Sequence, residues 1–337
     1  MVVSQTGKID LSFLNGKRVF VSGGTGSFGK TLVALCLEAS EAKEVVVFSR
    51  DEQKHVKLRR TFDDNRLTLM IGDVRDLERL RLGMRGIDLV LNAAAIKHVH
   101  LTETNPTEAV ATNIIGANNV CLAALEAGVE CVVTLSTDKA VEPVNVMGMT
   151  KALQERVVAS YAGKGMRVGI VRYGNVLASE GSVIPYFKEL LEKGGNLLPV
   201  TDRRMTRFVL TLKDSVNLVM LALERSNNGE TFVLDLPAFR MWDVAEVMVN
   251  ASNKSSVTVG EVGIRPGEKI HETLISREEM RRATSHSGYW CIHTYQSDQE
   301  RFSPGIEEKA LTSDSVYQMS KDEIHALLRK EGCLPNL

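Results

Sequence analysis

The chain has 337 residues. At roughly 150 residues per domain, that length suits about two domains, or one large α/β domain with an appendage. Apolar residues make up 44% and charged residues 25%, ordinary proportions for a globular protein, which excludes the disordered and fibrous classes. Lys+Arg 41 against Asp+Glu 42 leaves a net charge of -1, so no basic excess exists to neutralise a nucleic-acid backbone. A small or anionic ligand stays compatible with this balance, because one pocket can be positive on a neutral protein.

The opening MVVSQTGKID lacks the apolar core of a signal peptide, and no run approaches the ~18 apolar residues of a membrane span. A cytoplasmic protein without a membrane partner is expected. RVFVS (18–22) then reads as a strand entering a glycine-rich turn, and KTLVALCLEA (30–39) as a helix. EVVVFS (44–49), LTLMIGD (67–73) and DLVLNAAA (88–95) are strand-like, and a long helical stretch runs from about Thr107 to Ala127. ECVVTLST (130–137), a helix from about Met147 to Ala162, and RVGIVRYG (167–174) complete the first half. Short apolar runs separated by helices predict right-handed βαβ crossovers, and their lack of alternation predicts strands covered on both faces. The expected fold is a doubly wound parallel α/β sheet.

After Gly174 the rhythm changes. Residues 175–210 are richer in Gly, Pro, Arg and Ser, and elements follow at 212–225, 231–236 and 241–252. A loop, GIRPGEKIHE (263–272), precedes a polar tail in which YWCIHTY (289–295) suits a small strand. The predicted organisation is a nucleotide domain over residues 1–174 and a smaller substrate lobe with its tail over 175–337. Residues of about 205–240 thread back into the first unit, and the tail is expected against the lobe. Cys36, Cys121, Cys131, Cys291 and Cys333 are scattered without C-x-x-C or Cys/His spacing, so neither a zinc site nor a disulfide framework is indicated. The first three read as small core residues.

Gly23, Gly26 and Gly29 in SGGTGSFG form G-x-x-G-x-x-G between a strand and a helix. The first permits a tight turn, the second admits a pyrophosphate, and the third allows close helix packing. The helix N-terminus adds unpaired N–H groups and a positive dipole end. With Thr25, Ser27 and Phe28 between them, these residues predict a dinucleotide site, since the turn follows the first strand of a βαβ series. At the second strand's tip, Ser49 and Arg50 with Lys54 favour the 2′-phosphate of NADP, whereas Asp51 and Glu52 keep NAD open. A solvated charge cluster is the competing reading there. Asp73 and Val74 are placed to border an adenine ring, and Ala93 and Ala94 leave room for a cofactor or pack tightly.

The fifth strand ends at Thr137-Asp138-Lys139, where an open α/β sheet binds ligands. An Asp beside a Lys offers two proton-transfer groups, and near a low-dielectric nicotinamide face the lysine is expected to lose its proton while the acid keeps one. An exposed loop ion pair is the bland alternative. Met147 and Lys151 share a helix face at i, i+4 spacing.

The blocks SGGTGSFG, FSRDEQK, GDVRD, NAAAIKHV, STDKAVEPVNVMGMTK, RYGNVLASEGSVIP, TDRRMTRF and RPGEKIHE, in this order over about residues 15–275, resemble the UDP-N-acetylglucosamine 4,6-dehydratases of the extended short-chain dehydrogenase/reductase superfamily. The resemblance implies a Rossmann fold, NADP as cofactor with NAD as the alternative, UDP-N-acetylglucosamine as substrate, and a homo-oligomer. It implies an internal redox dehydration for surface-glycan biosynthesis: C4 is oxidised, Lys139 takes the C5 proton, Asp138 protonates O6 so that water leaves, and the hydride returns to C6. Thr137 would hydrogen-bond the C4 oxygen, and Lys151 would hold the nicotinamide ribose. Asn175 and Arg207 are implied at the diphosphate, Arg265 and Glu268 at the uridine diphosphate, and Lys97 at the pyrophosphate or the sugar.

Met147 stands where the superfamily usually has the tyrosine of Y-x-x-x-K, and a thioether cannot accept a proton. The C4 proton would then leave through Asp138, Lys151 or water. Ala178 and Glu180 replace a glycine and an arginine expected in the sugar loop. His98, His100 and His271 lie near these blocks without metal-ligand spacing, so no metal is expected. Two alternatives remain, a UDP-sugar 4-epimerase or reductase and a non-catalytic NADP-binding sensor.

Overall fold

The structure is a computed structural model, and it describes residues 10–177, 181–254, 256–294 and 309–335. Ala178, Glu180, Tyr295 and the first nine residues lie outside that range. Six parallel strands follow the predicted order: β1 (Arg18–Ser22), β2 (Glu44–Ser49), β3 (Leu67–Ile71), β4 (Leu89–Asn92), β5 (Cys131–Thr137) and β6 (Arg167–Tyr173). They lie side by side as β3-β2-β1-β4-β5-β6, so the chain reverses direction of travel between β1 and β4. That reversal opens a crevice at the carboxyl edge of the sheet.

Register explains why these strands are apolar throughout. Val46, Phe20, Val90, Val132 and Val168 stand in one cross-strand row and bury on one face. The neighbouring row, Val47, Val21, Leu91 and Val133, buries on the other. Helix α1 (Ser27–Glu38) covers the second face through Leu32, Val33 and Cys36, beginning three residues ahead of the expected start. The long helix expected over 107–127 is interrupted by a π-helical segment, Val110–Ile115, between Pro106–Ala109 and Gly116–Glu126.

The second half returns to the main sheet more than expected. Helix Leu212–Arg225 packs Val216, Val219 and Met220 against it, and strand Asn228–Leu234 pairs parallel to β6. An antiparallel hairpin, Ala283–His286 with Tyr289–Ile292, then extends the same edge to nine strands. The tail segment therefore completes the main sheet instead of lying on the lobe. The last helix, Lys321–Lys330, does pack on the lobe through Ile324 and Leu328.

The flanks of the 205–240 segment differ from expectation. Thr206–Leu210 sits between Asn175–Val176 and Ala238–Arg240 in a separate three-stranded sheet. Residues 175–210 also hold an unforeseen helix, Val183–Glu192, which buries Ile184, Phe187 and Leu191 in the lobe core. Pro185 is tolerated because it falls in the first turn, where an N–H has no intrahelical partner. All five cysteines are free and buried, and burial pushes the Cys36 and Cys121 thiols up to about 12.

Candidate active site

A cleft of about 890 Å³ opens at the carboxyl edge of β1, β2, β4 and β5. Gly23, Thr25, Gly26, Ser27, Phe28, Gly29, Ser49, Arg50, Lys54, Asp73, Val74, Ala93 and Ala94, the residues expected at a cofactor, line it. Gly23 has φ +67°, and a Cβ there would meet the Ala93 and Ala94 backbone at 2.9 Å. A Cβ on Gly29 would come within 2.5 Å of the Gly23 carbonyl oxygen. The turn therefore needs both glycines to lie this close to β4 and α1. Helix α1 begins on Gly26 with no side-chain cap, so its first N–H groups face the cleft with the positive end of the helix dipole. This cradle fits a dinucleotide pyrophosphate.

At the adenosine end, Ser49 Oγ lies 2.9 Å from Thr25 Oγ1 and 2.9 Å from His55 Nε2. The nearest strand-tip carboxylate, Asp51, is engaged as the cap of the helix Glu52–Thr61, accepting from Lys54 N–H at 3.0 Å. Arg50 is exposed, with its guanidinium 3.8 Å from Asp73.

Thr137, Lys139, Met147 and Lys151 line the other end of the cleft. Strand β5 stops at Thr137, and a single 3₁₀ turn, Asp138–Ala140, follows. Asp138 is fully buried and does not itself line the cleft. Its Oδ1 accepts from Thr137 Oγ1 at 2.8 Å and from Lys139 Nζ at 3.1 Å. Its Oδ2 is buried without a hydrogen-bond partner among the described residues. That oxygen lies beside Gly174, which borders the cleft; a Cβ on Gly174 would sit 3.6 Å from it.

Charge decides the protonation here. Burial pushes the Asp138 carboxyl above the usual carboxylate range, outweighing the nearby Lys139 cation. Burial pulls Lys139 down, but its acidic neighbours Asp138 and Glu272 outweigh it and the net direction is upward. The expectation that Lys139 gives up its proton is therefore corrected: before substrate arrives it is an ammonium. The lysine that burial does loosen is Lys151, pulled down to about 8 with Glu155 acting against the shift.

Met147 and Lys151 stand on the helix Val146–Ala159. Asn145 starts that helix by accepting from Gly148 N–H at 2.8 Å. Lys151 Nζ donates to the Leu135 carbonyl at 2.6 Å, which aims the ammonium along β5 at the cleft.

The predicted substrate residues divide. Lys97 and Asn175 line the cleft, and Asn175 Oδ1 is buried with no partner among the described residues, an acceptor left for a ligand. Arg207, Arg265 and Glu268 do not line it. Arg207 is turned away from the role of a free phosphate fork: it donates to the carbonyls of Thr206, Lys269 and Ile270 at 2.7, 2.9 and 3.0 Å. Arg265 is exposed, and Glu268 closes a turn with it. The loop is nevertheless stitched beside the Thr137-Asp138-Lys139 turn, since Lys269 Nζ donates to the Val141 carbonyl at 2.6 Å. His271 Nδ1 pairs with Thr206 Oγ1 at 2.8 Å. Among the described residues, no group of three or more His, Cys, Asp or Glu is placed to hold a metal ion.

Sequence reading missed Glu272 and a buried cluster around Arg172. Arg172 donates to Glu155 at 2.6 Å and to Glu279 at 2.9 Å, and Ser136 donates to the same Glu155. This cluster fixes β6, the Lys151 helix and the segment after Glu272 to one another. Only the adjacency of Ser136 to the Thr137-Asp138-Lys139 run hinted at it.

The model of a family described as polysaccharide biosynthesis protein matches residues 19–294. The chain belongs to this family. Within it, the chain is 42% identical over 283 residues to the UDP-N-acetylglucosamine 4,6-dehydratase (inverting) of Campylobacter jejuni, covering 82% of this chain and 83% of that one. It is 38% identical over 326 residues to the UDP-glucose 4-epimerase of Rickettsia canadensis, covering 93% and 95%. Among solved structures, Pen from Bacillus thuringiensis is similar at 35% identity with a TM-score of 0.88, covering 96% of this chain and 100% of that one. DesIV, the dTDP-glucose 4,6-dehydratase of Streptomyces venezuelae solved with NAD and TYD, is similar at 25% identity and TM-score 0.68, covering 75% and 86%. The family match runs without a break from the glycine turn through the Thr137-Asp138-Lys139 turn and into the lobe.

Proposed function

We propose that this protein is a nucleotide-sugar 4,6-dehydratase that converts UDP-N-acetylglucosamine to a UDP-4-keto-6-deoxy-N-acetylhexosamine. The observation that carries the reading is the Thr137-Asp138-Lys139 turn: a buried carboxyl group, shifted toward its acid form, and an amine on one strand tip, beside a dinucleotide cradle. A nicotinamide dinucleotide in that cradle supplies oxidation at C4 and reduction at C6. Thr137 holds the C4 oxygen, and the C4 hydroxyl proton passes to neutral Lys151 or to water as the ketone forms. Lys139, once neutral, forms an N–H bond to the C5 proton, whose C–H pair becomes the C5–C6 double bond as the C6–O bond breaks. Asp138 delivers its Oδ2 proton to O6, so that the leaving group departs as water, and a proton that exchanges with solvent returns to C5 from Lys139 or water as C6 is reduced. Asn175 and Lys97 bind the diphosphate and sugar, and Lys151 holds the nicotinamide ribose. Arg265 and Glu268 serve the uridine diphosphate from the neighbouring loop.

NADP is the proposed form of the cofactor, supported by Arg50 and Lys54 at the β2 tip and by the engagement of Asp51 as a helix cap. Residues 1–174 with the returning strands form the proposed cofactor unit, and the lobe after 175 the substrate unit. A homo-oligomer is proposed, supported by exposed Leu101, Ile115, Met149 and Leu153 on adjoining helices. Among the described residues no helix is long and apolar enough to cross a membrane, and a cytoplasmic site for the reaction is part of the proposal.

The similarity to a UDP-glucose 4-epimerase favours a second reading, 4-epimerisation, and Met147 in place of tyrosine favours a turnover-free sensor. Mass spectrometry after incubation with UDP-N-acetylglucosamine separates them. A dehydratase product is lighter by one water, whereas an epimer or an untouched substrate keeps its mass.

A further inference from the structure

Glu272 sits behind the catalytic turn although no local pattern marks it. Its Oε1 lies 3.3 Å from Lys139 Nζ, and the residue is 2% exposed. Its backbone is pinned on both sides by Ser313: the Glu272 N–H donates to Ser313 Oγ at 2.9 Å, and Ser313 N–H donates to the Glu272 carbonyl at 2.8 Å. Arg207 Nε stands 3.7 Å from the same Oε1, with its other nitrogens donating to backbone carbonyls. Glu272 Oε2 is buried with no partner among the described residues. A carboxylate buried with one oxygen unsatisfied is costly, and a purely structural ion pair gains nothing from that arrangement.

We propose that Glu272 is a positioning residue for the dehydration: it holds the Lys139 ammonium at the cleft wall and, by its charge, sets the pH at which that lysine becomes a base. The inference rests on the dehydratase reading with Lys139 as the C5 base. The titratable and charged groups facing Lys139 are Asp138 on its own turn, Arg207 on the lobe strand, and Glu272 and Lys269 on the loop; Lys269 also faces Glu272 and Asp138. An opposite charge this close favours the cation by one to three units. Replacing the carboxylate by an amide of the same shape keeps a hydrogen-bond acceptor for Nζ but removes the charge. The acidic limb of kcat/KM then moves toward lower pH by about one unit or more. Glu272→Asp keeps the charge with a shorter reach, so its limb stays near the parent's while its rate falls.

The experiment is the pH dependence of kcat/KM for the parent holoenzyme, Glu272→Gln and Glu272→Asp, with UDP-N-acetylglucosamine as substrate. It is paired with a 13C NMR titration of lysines labelled at Cε, in which Lys139 is assigned through Lys139→Gln. A limb and a Lys139 titration that both move down in Glu272→Gln, with Glu272→Asp close to the parent, are the expected result. A Lys139 titration unmoved in Glu272→Gln overturns the inference, even if that variant has no turnover. A parent that forms no dehydrated product fails the dehydratase reading instead, which keeps the two failures apart.

Discussion

Asn145 Nδ2 donates to the Gly267 carbonyl at 2.8 Å while its Oδ1 caps the helix that carries Met147 and Lys151. One side chain therefore joins the cofactor-side helix to the loop that carries Arg265, Glu268 and Glu272. Gly267, at φ +76°, permits the approach: a Cβ there would come within 3.1 Å of Asn145 Cβ.

Asn145→Ala removes both links. Loss of the cap costs about 1 kcal/mol, read as a lower denaturation midpoint. The freed loop should raise KM for the sugar nucleotide several-fold more than it lowers kcat. An unchanged KM would mean that the loop is held in place by Lys269 and Arg207 without Asn145.

Much of this site is legible in sequence because the strand tips carry it. The glycine turn, Ser49, Asp73, Ala93 and Thr137 all follow apolar runs whose ends the pattern marks, and parallel pairing brings every such end to one edge. Met147 and Lys151 are legible from helical spacing alone. Glu272 and the Glu155–Arg172–Glu279 cluster are not, because each partner comes from a different crossover and only tertiary packing sets them side by side. Arg207 illustrates the same limit. Its block identifies an arginine near the site, but the direction of its guanidinium depends on where the 263–272 chain runs. The hairpin at 283–292 joins the far edge of the sheet by pairing with Asn228–Leu234, a register that no local signal encodes.

Met147 lines the cleft and is nearly buried, and its thioether holds no proton. Met147→Leu conserves volume, a change that typically costs less than about 1.5 kcal/mol in a packed site. Turnover of this variant should stay within a few-fold of the parent, measured as product formed per minute. A loss of a hundredfold or more would give the sulfur a chemical role that this account does not.

The Arg172 cluster predicts a specific acid sensitivity. Burial alone would raise Glu279, but Arg172 outweighs it and holds the carboxyl at about 2 against an ordinary 4.5. A depressed carboxyl contributes stability that is present above pH 4.5 and lost as pH falls toward 2. Glu279→Gln leaves Arg172 with Glu155 alone and should destabilise the fold by about 3 kcal/mol at pH 7. Denaturant titrations at pH 7 and pH 3 should show the gap between parent and variant narrowing at the lower pH. A constant gap would assign the stabilisation to packing.

Arg50 faces the β2 end of the cleft and is exposed, so its removal leaves the fold intact. A charge-assisted contact with a 2′-phosphate is worth about 1.5 kcal/mol or more. Arg50→Ala should weaken NADP binding about tenfold and leave NAD binding unchanged, by fluorescence titration. Equal weakening of both would contradict the NADP assignment.

The central claim is that Lys139 and Asp138 carry a proton off C5 and water off C6. Turnover of UDP-N-acetylglucosamine in deuterium oxide tests it most directly. The account predicts a product lighter by one water with solvent deuterium at C5, formed by the parent and absent from Lys139→Ala although that variant keeps its cofactor. A product of unchanged sugar composition without deuterium at C5, or full turnover in Lys139→Ala, would contradict it.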